Sequence, residues 1–170
     1  PELDLTIDKI EVTQAIQCLD AAMGDQECAD NSLPLVQGKV TILRVYPRGQ
    51  LLSGSYPSAP MHAVVTTSGP DAPLAPLNGA ITVDHTPQRR VAGDTWNFRL
   101  PAAWTMRDSL TLHVEINDDH TVAEINYANN SADVPLTFNA RNPITVRYVP
   151  LRTEGQARAA SLPSARIDAA

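Results

Sequence analysis

A chain of 170 residues with 43% apolar content is long enough to bury a sizeable core, and that content excludes wholesale disorder. A net charge of −6 argues against a broad nucleic-acid surface, and no apolar run is long enough for a membrane-spanning helix. Fourteen prolines and eight glycines scattered along the chain argue against long helices and favour short elements joined by turns.

The dominant hydrophobic period is two, and it starts at the first element. Leu5 and Ile7 share one face of an extended segment, whereas Ile10 and Val12 share the other. A bulge or bend near Asp8-Lys9 accounts for that change of phase, as in strands that pass from one sheet to the other of a sandwich. Cys18 and Cys28 follow, separated by a polar, turn-like segment. Their spacing predicts a structural disulfide closing a surface loop, which requires an oxidising compartment. A metal pair needs further Cys or His ligands nearby, and a redox pair needs Cys-x-x-Cys. Leu19 to Met23 has room for one helical turn. The acidic residues Asp20, Asp25, Glu27 and Asp30 read as a solvated surface.

After a turn at Asn31-Ser32-Leu33-Pro34, the run Val40 to Tyr46 is apolar on both faces. Such a strand belongs at the centre of a sheet or against a neighbouring domain. A turn is predicted at Pro47-Arg48-Gly49. Met61, Ala63 and Val65 form a weaker alternation, and Ile81 with Val83 a short one, with turns at Ser68-Gly69-Pro70-Asp71 and Asn78-Gly79. After Ala92-Gly93-Asp94, Trp96, Phe98 and Leu100 alternate with polar neighbours. Leu110, Leu112, Val114 and Ile116 repeat the pattern in its clearest form, before a turn at Asn117-Asp118-Asp119. Val134, Leu136 and Phe138 close the series. These elements predict an all-β fold, an immunoglobulin-like antiparallel β-sandwich of about seven strands with a C-terminal tail.

Charge marks the boundary of that tail. Residues 1–138 hold 8 basic and 17 acidic side chains, a net of −9, whereas residues 139–170 hold five arginines against Glu154 and Asp168, a net of +3. The expected organisation is therefore a sandwich over residues 1–139 and, over 140–170, a linker with the truncated start of a following domain. Within it, Pro143 to Leu151 is a further strand candidate. Beginning Pro-Glu-Leu-Asp without a methionine, the chain reads as a processed or trimmed piece.

Two stretches carry a family resemblance. The first comprises Ile10-Glu11-Val12-Thr13-Gln14-Ala15-Ile16-Gln17, then Asn31 to Val36, then Gly38 to Tyr46. The second comprises Asn97 to Pro101 with Trp104, then Leu110 to Asn117, and Glu124-Ile125-Asn126-Tyr127-Ala128-Asn129-Asn130. Together, over about residues 3–138, they resemble the cell-adhesion-related (CARDB-like) immunoglobulin-type domains of bacterial exported proteins. The resemblance implies a non-catalytic adhesive or spacing module, extracellular or at the cell surface. Its expected partners are other domains of the same polypeptide, an extracellular protein or a glycan. It carries no shared catalytic residue. The segment Ile144 to Leu151 is similar to the start of a zinc-peptidase-like domain, so an accessory N-terminal domain of a secreted metallopeptidase is the alternative.

Most of the residue patterns that suggest chemistry have structural explanations. His62, His85, His113 and His120 form no His-Glu-x-x-His pattern, so a zinc peptidase site is not expected in this segment. His113 and Glu115 share a strand face and read as a solvated surface pair. Ser53-Gly54-Ser55-Tyr56-Pro57-Ser58 lacks the Gly-x-Ser-x-Gly elbow of serine hydrolases, and phosphate-loop and dinucleotide patterns are missing from the sequence. No catalytic residue or resident cofactor is expected, with calcium as the single ligand to weigh. Asp118, Asp119, Glu124, Asn126 and Asn129 supply oxygens of the type calcium takes, without EF-hand spacing. The competing explanation is that these side chains cap turns through the local backbone. Asn129-Asn130-Ser131 is a glycosylation sequon with meaning only in a eukaryotic secretory pathway. Trp104 reads as a plug for one end of the core.

Overall fold

The computed structural model describes residues 2–14, 34–83, 86–88 and 91–141. Among the described residues, seven strands make two sheets. β1 (Glu2–Thr13), β3 (Ile42–Ser53) and β5 (Trp96–Arg99) form a three-stranded sheet in the order β1-β3-β5. β2 (Leu35–Val36), β4 (Ala63–Thr67), β6 (Ser109–Ile116) and β7 (Ser131–Asn139) form a four-stranded sheet in the order β2-β7-β6-β4. All neighbours are antiparallel except β2, which runs parallel to β7. The result is the expected all-β sandwich.

Period-two alternation builds its core. Leu110, Leu112, Val114 and Ile116 of β6 are buried, whereas Thr111 and His113 between them are exposed. From the facing sheet come Leu43, Val45, Trp96 and Phe98, all fully buried. Burying a leucine- or phenylalanine-sized side chain contributes about 1.5–3 kcal/mol, so this cluster dominates the favourable side of folding. Trp104 lies on a short helix, α1 (Ala102–Thr105), and is buried in the same cluster at one end of the sandwich.

The change of phase in β1 is a bulge. Ile7 pairs with Pro47 and Lys9 with Tyr46, so Asp8 is the extra residue. Leu3 and Leu5 face the core before it, and Val12 with the partly buried Ile10 face the core after it. Without the bulge, Ile10 and Val12 would point away from the core and Lys9 and Glu11 into it.

The structure departs from the sequence expectation at several places. Pro47-Arg48-Gly49 is no turn: β3 runs through it, with Ile7, Thr6 and Leu5 of β1 opposite. Gly49 is there because the Tyr56 ring lies against the backbone; a Cβ at Gly49 would approach it to 3.0 Å. Val40 is outside β3 and 56% exposed, whereas β3 itself takes the expected central place in its sheet. Ile81 makes one isolated bridge to Met61 rather than a strand with Val83. Cys18 and Cys28, the Leu19–Met23 turn, His85 and the strand candidate at 143–151 lie outside the described residues.

Deleting Asp8 should leave Ile7, Ile10 and Val12 facing the core and the chain folded. Deleting Ile10 should instead turn Glu11 into the core and abolish the cooperative thermal transition, as followed by circular dichroism.

Candidate functional site

Polar side chains concentrate at three places: the loop after β6, a cleft beside β4, and the outer face of the three-stranded sheet. The loop begins at Asn117, which is fully buried and holds a left-handed backbone conformation (φ 52°) that asparagine tolerates better than most residues. Its Nδ2 donates to the Val122 carbonyl and to Glu124 Oε1, both at 2.7 Å, and its Oδ1 accepts from Val122 N–H at 3.1 Å. Glu124 then reaches across to β1. Its Oε2 accepts the Leu5 N–H at 3.0 Å, and its Oε1 also accepts from Asn130 Nδ2 at 2.6 Å. Ile125 N–H donates to the Leu3 carbonyl at 2.9 Å. One carboxylate thus fastens the loop to itself, to the start of β7 and to the outer edge of β1.

The five residues weighed for calcium go to separate tasks. Glu124 accepts three N–H groups. Asp119 Oδ1 accepts from Thr121 N–H at 3.1 Å, and Asn126 Oδ1 from Ala128 N–H at 3.1 Å, two local turn caps. Asn129 Nδ2 donates to Asp4 Oδ1 at 3.0 Å. Asp118 and Asp119 line the cleft beside β4. Among the described residues, no group of three or more His, Cys, Asp or Glu side chains is placed to hold a metal ion.

That cleft has a volume of about 290 Å³ and is open to solvent. Pro73, Ala75 and Pro76 line it together with His62, Asp118 and Asp119. His62 Nε2 lies 3.9 Å from Asp119 Oδ2. Hydrogen bonding from Thr121, with a smaller contribution from His62, holds the Asp119 carboxyl below the usual carboxylate range. Nearby, Asp71 accepts from Thr67 Oγ1 at 2.6 Å and Arg107 Nη2 at 2.7 Å, and these bonds likewise lower its pKa. His113, expected beside Glu115, pairs across the strands with Asp133 at 2.8 Å.

The third place follows from the Asp8 bulge, which turns Lys9 and Glu11 to the outer face of β1. Both are buried there, at 7% and 3% exposure. Tyr46 O–H donates to Glu11 Oε2 at 2.7 Å, Lys9 Nζ lies 3.4 Å from Glu11 Oε1, and Arg44 Nη1 lies 3.9 Å from Glu11 Oε2. Both cations stand over the Tyr46 ring, 5.8 Å and 5.1 Å from its centroid. Arg44 also donates to Asn97 Oδ1 on β5 at 3.0 Å, so the cluster spans all three strands. A carboxylate with a hydroxyl and two cations around it is compensated for burial, whereas Glu11 alone would not be.

Sequence reasoning missed Glu124 as a staple, Gln14, and the Lys9–Glu11–Arg44–Tyr46 cluster. Gln14 is 2% exposed and substitutes for a strand. Its Nε2 donates to the Val36 carbonyl at 2.9 Å and to Thr41 Oγ1 at 2.8 Å, and its Oε1 accepts the Val36 N–H at 2.8 Å. The change of phase in β1 signalled that Lys9 and Glu11 face away from the core, and nothing local in the sequence signalled that they are buried there.

Glu124→Ala should destabilise the fold by about 3 kcal/mol, because three donors lose one acceptor, and Tm should fall accordingly. Excess chelator should leave the wild-type Tm unchanged; a Tm that rises with added calcium would show that the loop takes the ion. No family model, no curated protein and no solved structure matches the chain.

Proposed function

We propose that this chain is a non-catalytic structural or interaction module of a larger exported protein, one that spaces, orients or docks the domains around it outside the cell or at its surface. One observation supports it most: the polar side chains that would be candidates for chemistry are engaged in holding the framework together. Glu124, Asn117 and Gln14 bond to backbone groups of neighbouring strands and loops, and Glu11 is enclosed by Tyr46, Lys9 and Arg44. Preorganised catalysis requires the reverse, a nucleophile or base directed at a space that substrate enters. The open cleft beside β4 offers His62 and Asp119 at 3.9 Å, beyond hydrogen-bond reach. The resemblance of residues 3–138 to CARDB-like modules points the same way.

In the intact polypeptide that carries this chain, deletion of residues 1–139 should weaken attachment or partner retention while leaving the kcat of any enzymatic domain unchanged. Turnover of a peptide, ester, glycoside or phosphoester substrate by the purified chain, lost on His62→Ala or His113→Ala, would overturn the proposal.

A further inference from the structure

The outer edge of β5 is closed by a turn in which one asparagine supplies two of the bonds. Asn78 Oδ1 accepts the Asn97 N–H at 3.0 Å, and its Nδ2 donates to the Thr95 carbonyl at 2.8 Å. Leu77 N–H adds a bond to the Asn97 carbonyl at 2.7 Å. The side-chain amide therefore does the work of a peptide group in a neighbouring strand, and it needs both an acceptor and a donor to do so. The next residue is Gly79, and this is the only Asn-Gly pair in the chain.

We propose that Asn78 is a spontaneous deamidation site whose conversion uncaps the outer edge of β5. Asn78 and Gly79 are both exposed, so water reaches them. Gly79 has φ +66° and no atom within 4 Å of the place a Cβ would occupy. Its N–H makes one long bond, 3.3 Å to the Pro76 carbonyl, so the nitrogen that must attack is weakly held. Glycine also leaves the chain free to turn toward the ring geometry that the reaction requires.

The chemistry needs water and hydroxide alone. The Gly79 nitrogen, giving up its proton to hydroxide, attacks Cγ of Asn78. A C–N bond forms, the Cγ–Nδ2 bond breaks, and the nitrogen leaves as ammonia, giving a five-membered succinimide. Water then adds to one of the two ring carbonyls, yielding aspartate or isoaspartate. The net change is an amide and water converted to a carboxylic acid and ammonia. Both products lose the donor that met the Thr95 carbonyl. At neutral pH the new carboxylate faces that carbonyl, oxygen against oxygen, and isoaspartate adds a methylene to the main chain as well. Thr95 retains the Asn97 Nδ2 donor at 3.0 Å, so the consequence is a loosened edge rather than an unfolded domain.

The test is incubation of the folded chain at mildly alkaline pH, with samples taken over time for intact mass and peptide mapping, beside Gly79→Ala and Asn78→Asp variants. Conversion should appear at Asn78 before any other asparagine, and Gly79→Ala should suppress it. Asn78→Asp should melt lower than wild type by roughly 3–8 °C at neutral pH. The difference should shrink in acid, where the protonated carboxyl donates to the Thr95 carbonyl again. Conversion at Asn78 no faster than at the other asparagines would overturn the site. An Asn78→Asp chain with wild-type Tm at neutral pH would overturn its consequence.

Discussion

An open β-sheet ends in backbone N–H and C=O groups that have no neighbour, and the described residues form two such sheets and therefore four edges to satisfy. How those edges are met governs much of the remaining structure. At β1 the carboxylate of Glu124 accepts the Leu5 N–H, and at β5 the amide of Asn78 pairs with both Asn97 and Thr95. At β2 the amide of Gln14 pairs with both backbone groups of Val36, and at β4 the backbone of Leu74 exchanges two bonds with Val65. A side chain thus meets three of these edges, aided at β1 by the Ile125 N–H and at β5 by the Leu77 N–H, and a loop backbone meets the fourth. The devices at β1, β2 and β5 also tie a more distant part of the chain to the sheet.

This constraint explains why polar residues of the sort that attract functional readings have structural work here. Glu124 sits in a loop rich in Asp and Asn, and its two oxygens bond to a strand, to a buried asparagine and to the start of the last strand. The outer face of the three-stranded sheet shows the same economy with higher charge. Glu11 is stabilised by Tyr46, Lys9 and Arg44 together, and removal of any one partner would leave a buried charge less well matched. A cluster of that kind favours one arrangement of strands β1, β3 and β5 over others, because a slipped register would separate its members.

Much of the fold was legible because burial on one face writes itself as alternation. Leu110 to Ile116 needed no other signal, and the change of phase between Ile7 and Ile10 announced the Asp8 bulge. The failures have physical causes. Pro47 and Gly49 are turn formers by intrinsic preference, yet they lie inside β3 because the whole length of β1 pairs with that strand and Tyr56 packs on the glycine. β2 is two residues long, too short for a period to show. Ile81 and Val83 are buried by loop packing, with one bridge standing in for a strand. The site residues were harder still. Leu5 and Glu124 are 119 residues apart, and nothing local to either announces the bond between them. A glutamine that imitates a strand looks the same in sequence as one that faces water.

Native-state hydrogen exchange tests edge closure most directly, because it reports on each amide separately. Leu5, Val36, Val65 and Asn97 each carry an edge N–H with its own acceptor, at 3.0, 2.8, 3.1 and 3.0 Å. All four should be protected to a degree comparable with the interior amides of β6. Exchange of these amides at the rate of an open, solvated strand edge would contradict the account.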